Sequence, residues 1–139
     1  MPVRWSALAA AAVVAASSAT PMQARGAGDG MFRTPSGWIG CGYFDGVLRC
    51  DVRDGVKPLP PAPASCQLDW GAGFWLRRHG AAGIVCAGDT ALNRTARVIP
   101  YGTAWHGDGI ACLSTPNGLR CTNADRHGFF LSRGQAYRF

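Results

Sequence analysis

The sequence contains no glutamate, and its positive charge comes almost entirely from arginine. Thirteen arginines and one lysine stand against eight aspartates, which gives a formal net charge of +6. The paired carboxylates of a glycosidase would therefore have to be two aspartates, and aspartate beside glycine more often caps a turn. The arginines are scattered along the chain instead of forming one stripe with aromatic residues, which argues against a nucleic-acid partner.

The sequence also lacks an apolar run long enough to cross a membrane. Residues 6–16 are small and apolar, but this run is shorter than the roughly 20 residues of a transmembrane helix. It follows Arg4 and precedes small-residue cleavage sites such as Met22-Gln23-Ala24, as in a secretory signal peptide. We expect residues 1–24 to be cleaved and residues 25–139 to form one domain. That domain would be periplasmic or secreted, with no transmembrane segment after processing.

The six cysteines lack the short spacing of a metal site. No two of them are separated by the two to four residues of a zinc finger, so we expect no metal, and nothing indicates a cofactor. Cys41 and Cys50 have eight residues between them, and Cys112 and Cys121 repeat that spacing. Matched spacing in a short exported chain indicates disulfides. Two local pairs leave Cys66 to bond with Cys86.

Turn chemistry supports the first of these pairs. Asp45-Gly46 stands between apolar runs, a strong signal for a β-hairpin with a type I′ turn. With these two residues as the loop, Cys41 falls opposite Cys50 at a non-hydrogen-bonded position, where the Cα atoms of paired strands come closest. That separation suits a disulfide.

The turn of the second hairpin agrees less well with its cysteines. Thr115-Pro116-Asn117-Gly118 indicates a type I turn followed by a left-handed glycine, which makes a three-residue loop with a bulge. That register sets Cys112 opposite Thr122. A second bulge or a different turn is needed to bring Cys112 to Cys121, which remains the pairing that we predict.

Hairpin signals extend over the whole mature chain. A third hairpin is predicted from residues 75–77 and 84–86, with leading strands expected at residues 32–34, 66–70 and 98–101. Three strand-plus-hairpin units with a period near 35 residues predict an all-β fold. It would be a small disulfide-braced barrel with pseudo-threefold, trefoil-like symmetry, or a two-sheet sandwich. The proline-rich residues 57–63 are expected to form a stiff strap between units.

Trp38, Trp105 and His127 are the candidate ligand-binding residues. Both tryptophans lie beside glycine-containing turns and precede corresponding hairpin strands, so pseudo-symmetry would place them in related positions. Indoles there could form a stacking platform for a sugar or a peptide. His127 precedes an apolar strand, where a structural hydrogen bond is its more usual role. We assign no catalytic residue, because no serine lies in a nucleophile-elbow pattern.

An ordered series of short motifs runs through the mature chain. It consists of Thr34-Pro35-Ser36-Gly37, Ile39-Gly40-Cys41, Leu48-Arg49-Cys50-Asp51, Cys66-Gln67-Leu68-Asp69-Trp70-Gly71, Cys86-Ala87-Gly88-Asp89-Thr90, Pro100-Tyr101-Gly102, Cys121-Thr122-Asn123 and residues 127–133 (HGFFLSR). In these motifs the chain resembles a family of small exported bacterial proteins of unknown function. The family pattern prefers Asn at position 38 and Gly at position 126, where this chain has Trp38 and Arg126. The resemblance implies an exported six-cysteine domain and no particular catalytic residue, cofactor or substrate.

These features predict an exported, non-enzymatic binding or structural domain whose partner is a cell-envelope glycan or protein. Two alternatives stay open. One is a small extracytoplasmic hydrolase that uses His127 or His106 with an aspartate; the other is an inhibitor of such a hydrolase that presents the tip of one braced hairpin. A deep pocket holding both histidines would favour the hydrolase, and a shallow face with exposed tryptophans would favour binding.

Overall fold

A computed structural model describes residues 2–3, 10–17 and 30–139 of the chain. Residues 2–3 and 10–17 are exposed and have no regular secondary structure, and the rest of the predicted signal peptide lies outside the described residues. The described residues contain no helix long and apolar enough to span a membrane. The strands are β1 (Gly30–Arg33), β2 (Ile39–Phe44), β3 (Val47–Val52), β4 (Trp70–Arg77), β5 (Gly83–Cys86), β6 (Arg97–Val98), β7 (Ala104–Gly107), β8 (Ile110–Thr115), β9 (Gly118–Thr122), β10 (Gly128–Leu131) and β11 (Ala136–Arg138).

Two antiparallel meanders make up the fold. The first sheet has the order β5-β4-β3-β2-β1, and the short β6 adds to it as a parallel neighbour of β1. The second sheet has the order β11-β10-β9-β8-β7. The all-β prediction is confirmed, and of its two forms the described strands show the sandwich, since both sheets are open and neither closes into a barrel.

The two sheets repeat one arrangement of inward-facing residues. Across β1 to β4, the aligned residues are Phe32, Cys41, Cys50 and Phe74. Across β7 to β10, the residues in the same places are Trp105, Cys112, Cys121 and Phe129. The internal symmetry therefore relates two five-stranded units, and the predicted three-unit period was wrong.

The three-unit prediction failed because the third hairpin has no partner sheet of its own. Strands β4 and β5 do form a hairpin, but it extends the first sheet. Cys86 lies at the exposed end of the edge strand β5, whereas Cys50 and Cys121 are buried in central strands. Residues 66–69 form no strand, and the strand that leads into the last disulfide hairpin is β7, not residues 98–101.

The core lies where the two aligned rows face each other. The Phe32 and Trp105 rings stack with centroids 5.1 Å apart, and the Phe74 and Phe129 rings meet at 5.5 Å. The buried disulfides lie between these aromatic pairs, and none of the eight residues is more than 2% exposed. Burial of this apolar area is the main force that holds one sheet on the other.

The disulfides join Cys41 to Cys50, Cys66 to Cys86 and Cys112 to Cys121, and no cysteine is free. The first hairpin has the predicted register, with Phe44 opposite Val47 and Cys41 opposite Cys50, whose Cα atoms are 4.1 Å apart. Asp45 and Gly46 both have positive φ, as a type I′ turn requires.

The predicted register of the second hairpin was wrong, although its cysteine pair was right. Thr115 lies opposite Gly118, so the loop contains only Pro116 and Asn117, and Cys112 falls directly opposite Cys121. Gly118 stays in the strand ladder with a φ of 152°, a conformation open to glycine. The three-residue loop was expected because a left-handed Gly118 would have formed a bulge outside the ladder.

The proline-rich segment is an exposed strap between β3 and β4. The carbonyl oxygen of Pro60 accepts a hydrogen bond from Nε1 of Trp70 at 2.9 Å. The carbonyl oxygen of Lys57 accepts one from the backbone N–H of Ala136, at the start of β11, also at 2.9 Å. The strap therefore ties the two sheets together at the edge formed by β5 and β11.

Candidate functional site

The turn between β1 and β2 places Trp38 at one end of the molecule. Buried Thr34 closes the turn, because its carbonyl oxygen accepts from Gly37 N at 3.0 Å and its own N–H donates to Ile39 O at 3.0 Å. Gly37 has a φ of 72°, which favours glycine there. The Trp38 carbonyl then accepts from Arg53 N at 2.9 Å, which continues the β2–β3 pairing by one step.

Two guanidinium groups contact the Trp38 ring. The Cζ atom of Arg53, which follows β3, lies 5.1 Å from the ring centroid, and that of Arg133, which follows β10, lies 4.2 Å from it. Both arginines are exposed, and the indole is half-buried against the core. An exposed cation–π contact contributes about 0.5–1 kcal/mol. Trp38 thus contacts residues from the ends of both sheets, and two positively charged side chains lie against its ring.

Two clefts lie beside this residue and share Ser36 and Ile39 as lining residues. The inter-sheet cleft, of about 440 Å³, runs from Trp38 to Arg133 and the β8–β9 turn. The arginine cleft, of about 410 Å³, is lined by Arg33, Ser36, Gly37, Ile39, Gly40, Arg53, Leu92, Asn93 and Arg94. Both volumes fall within the roughly 300–1,000 Å³ of small-molecule sites.

A buried carboxylate fixes the outer wall of the arginine cleft. Asp51 is 1% exposed and accepts from Arg49 Nε at 3.0 Å and Nη2 at 2.8 Å. It also accepts from the backbone N–H of Ala91 at 2.9 Å. A side chain at Gly40 would collide with Ala91 O, so this loop lies directly on β2. Asp51 therefore holds the segment that presents Leu92, Asn93 and Arg94 to the cleft.

Arg49 extends this network to the exposed Asp89. It donates to the carboxylate at 2.6 Å and to the backbone oxygen of the same residue at 2.9 Å. The hydrogen bond to Asp51 is the main cause that raises the pKa of Arg49, and the hydrogen bond from Arg49 is the main cause that lowers the pKa of Asp89. The two ion pairs of Arg49 stabilise the loop between β5 and β6.

The arginines of the site have no carboxylate partner among the residues that the structure describes. Within the described part of the chain, no ion pair joins Arg33, Arg53, Arg94 or Arg133 to an acid, whereas Arg49 and Arg78 pair with aspartates. Asp54 follows Arg53 in sequence but forms no ion pair with it. Nε of Arg33 is buried and has no hydrogen-bond acceptor there. Positive charge is therefore concentrated and unbalanced at this end.

Comparison with known families places the chain. A profile of a family of unknown function matches residues 7–139, which includes every residue of both clefts. The chain belongs to the DUF6636 family. Comparison with curated proteins and with solved structures finds no match.

In this DUF6636 chain Trp105 lies in the core and not on the exposed face that its expected role in binding requires. It is 2% exposed, stacks on Phe32 and lies 5.6 Å from the Tyr43 ring. Because Trp105 pairs with Cys112 in the β7–β8 ladder, it faces inward like that cysteine. It corresponds to Phe32 in the first sheet, so Trp38 and Trp105 are not related by the internal symmetry.

His127 is exposed but lies away from Trp38. It precedes β10, whereas Arg133, which contacts Trp38, follows that strand. Its Nδ1 lies 3.4 Å from the carbonyl oxygen of Phe139, and its side chain lines a third cleft of about 460 Å³ beside β11. The structure therefore does not join His127 and Trp38 in one site.

The two histidines of the hydrolase alternative are also separated. His106 on β7 aligns through Ala111 and Thr122 with Gly128 on β10, the strand that follows His127. Three strand spacings, or roughly 14 Å, therefore lie between His106 and that strand. Among the described residues, the histidine–aspartate pair in direct contact is His79 with Asp125, at 3.0 Å on exposed turns. No group of three or more His, Cys, Asp or Glu side chains among the described residues could hold a metal ion.

Four arginines and Asp51 are site residues that the sequence reasoning missed. The signal for Arg53 was present, because the register of the first hairpin, continued by three steps beyond Cys41 and Cys50, sets Arg53 opposite Trp38. Arg94 and Arg133 reach the site through contacts distant in sequence, for which the sequence offered no signal. Arg33 lies only five residues before Trp38, in the leading strand expected at residues 32–34.

Proposed function

We propose that this DUF6636 chain is an exported, non-enzymatic binding domain whose ligand contacts Trp38 and the two clefts beside it. Trp38 carries the proposal, since it is half-buried where the sheets meet and guanidinium groups from both sheets contact its ring. The three disulfides are compatible with an extracytoplasmic protein. A cell-envelope glycan or protein is the expected class of partner.

Export forms the first part of this proposal. Residues 1–24 would be removed, and residues 25–139 would be the mature domain in the periplasm or the medium. Mass spectrometry of the native protein should show loss of the apolar segment, with a new terminus between Ala19 and Gly26. An intact Met1 terminus in the membrane fraction would contradict export by cleavage.

Binding can be tested by capture of envelope glycans and proteins on the immobilised mature domain. Trp38→Ala should reduce capture, because it removes the aromatic contact and releases both guanidinium groups. Trp75→Ala is a matched control, since Trp75 is also half-buried and is contacted by one arginine, Arg77, at 5.9 Å. Both residues belong to β4, and Trp75 lines neither of the two clefts. Equal capture by Trp38→Ala and wild type, with both folded, would refute the site.

A second candidate function, inhibition of an extracytoplasmic hydrolase, is supported by Phe44. This side chain is 57% exposed at the tip of the hairpin braced by Cys41 and Cys50. A rigid tip with an exposed aromatic suits insertion into another protein's cleft, because little conformational entropy is lost on binding. Phe44→Ala should abolish inhibition of envelope hydrolases if this function is present, while Trp38→Ala should leave it unchanged.

A further inference from the structure

We infer that the arginine cleft binds the phosphate or carboxylate group of an anionic ligand. The inference rests on the proposed binding function and names the chemistry that the ligand must have. Three features of the cleft support it: an excess of cationic side chains, a guanidinium group without a carboxylate partner among the described residues, and a scarcity of free acceptors.

None of the described residues that line the cleft is acidic. Arg33, Arg53 and Arg94 contribute three positive charges, and Arg133 adds a fourth across Trp38. Arg49, by contrast, lies outside the cleft and forms ion pairs with Asp51 and Asp89. Like charges held together at one surface repel each other, and an anionic ligand removes that repulsion.

Arg33 lines the cleft with a guanidinium group that has no carboxylate partner among the described residues. It ends β1, and its carbonyl oxygen accepts from Ile99 N at 2.9 Å, which fixes its backbone between β2 and the segment after β6. Its Nε is buried without an acceptor among the described residues. Among the described residues the Arg33 guanidinium forms no ion pair, so its outer N–H groups can donate to a ligand that occupies the cleft. The planar guanidinium suits the paired oxygens of a carboxylate or phosphate.

The two uncharged polar side chains that line the cleft, Ser36 and Asn93, are already engaged. The Oδ1 atom of Asn93 accepts from Thr95 N at 3.0 Å and from Thr95 Oγ1 at 2.9 Å. The Ser36 hydroxyl interacts with Thr34 Oγ1 at 3.3 Å and accepts from Trp38 N at the same distance. A neutral sugar needs acceptors as well as donors for its hydroxyl groups. This cleft mainly offers donors, which suits a ligand that only accepts.

Binding of two polyanions and one neutral polymer to the mature domain tests the inference. The probes are polyphosphate, polygalacturonate and dextran, each titrated by calorimetry at low and at high salt. We expect both polyanions, or only polyphosphate, to bind, with an affinity that falls as salt rises, and dextran not to bind. Polyphosphate alone would identify the group as phosphate. Binding of both would show that a carboxylate is also accepted.

Charge-matched variants locate the binding. Arg53→Gln and Arg94→Gln should each weaken polyanion binding about tenfold, the loss expected for one charged hydrogen bond. Arg126→Gln, which removes the same charge from an exposed turn before β10, should leave affinity within about twofold. In the NMR spectrum of wild type, the Arg33 Nε–H signal should shift on titration with inorganic phosphate.

Two results would overturn the inference and can be told apart from failure of the proposed function. Equal losses for Arg126→Gln and the cleft variants would mean that general charge attracts the polyanion. If Trp38→Ala abolishes capture of an envelope component while no polyanion binds to wild type, the binding function stands and the anion chemistry is wrong. If Trp38→Ala changes no capture, the binding function itself fails.

Discussion

Trp105 and Trp38 are residues of the same type that have different roles in this small fold. Trp105 completes the aromatic stack between the sheets and is 2% exposed, while Trp38 lies half-buried among exposed arginines. Trp105→Ala should lower the free energy of unfolding by about 3–5 kcal/mol, because it leaves a cavity beside Phe32. Denaturant unfolding measures this loss. Trp38→Ala should cost clearly less, and a loss as large as that of Trp105→Ala would show that Trp38 is chiefly a core residue.

Asp51 is a second residue whose replacement has a defined cost. Asp51→Asn keeps the shape but leaves Arg49 without its buried partner, which we expect to cost roughly 2–3 kcal/mol. This is less than for a fully buried pair, because the Arg49 side chain is 22% exposed and also contacts Asp89. Chemical denaturation gives the value, with Asp54→Asn as an exposed control. Unchanged stability in Asp51→Asn would mean that the backbone N–H of Ala91, not Arg49, dominates the environment of Asp51.

Among the elements, the two central hairpins approach their neighbouring strands closely at equivalent glycines. A side chain at Gly73 on β4 would collide with Cys50 O, and one at Gly128 on β10 would collide with Cys121 O. Gly73→Ala and Gly128→Ala should each lower stability by about 3 kcal/mol or more, since backbone cannot move aside as a side chain can. Gly134→Ala, with open space around it, is the control for melting temperature. A harmless Gly128→Ala beside a damaging Gly73→Ala would break the equivalence of the two sheets.

The local elements were more predictable than their assembly. Asp45-Gly46 predicted the first hairpin down to its register, because a two-residue turn leaves only one way to pair the strands. Pro116-Asn117-Gly118 did not predict the register of the second hairpin, since Gly118 can lie either in a bulge or in the strand ladder. The pairing of Gly118 with Thr115 selects the ladder. The number of sheets depends on contacts such as Phe32 with Trp105, which no local signal encodes. The same holds for the arginine cleft, whose wall depends on Asp51 and Ala91, 40 residues apart.

At the scale of the whole molecule, carboxylates on turns connect the two sheets. Asp108 in the β7–β8 turn accepts from Tyr43 Oη at 2.7 Å and from Arg78 at 3.2 Å. Asp125, before β10, contacts His79 and Gly80 in the β4–β5 turn. The hydrogen bond from Tyr43 is the main cause that lowers the pKa of Asp108, and the one from His79 is the main cause that lowers the pKa of Asp125.

These shifts predict acid sensitivity. Because the pKa of each carboxyl is lower in the folded protein, its contribution is present above the ordinary value of 3.8 and is lost as the pH falls through the lower folded value. The melting temperature should therefore change little between about pH 5 and 7 and fall below about pH 4. The double variant Asp108→Asn, Asp125→Asn should show a shallower fall. An identical acid profile in that variant would assign the sensitivity to other carboxylates.

The distribution of the disulfides has a consequence for how the molecule can be divided. Two of them lie within the half that contains the first sheet and the third lies within the other, so none crosses from half to half. A cut between β6 and β7 would yield two oxidised peptides held together by non-covalent contacts alone. Each peptide would keep its own disulfides. Dilution or denaturant would therefore separate the two peptides without any reducing agent. The chain is thus suited to fragment complementation, in which the affinity of the two peptides for each other measures the strength of the interface between the sheets.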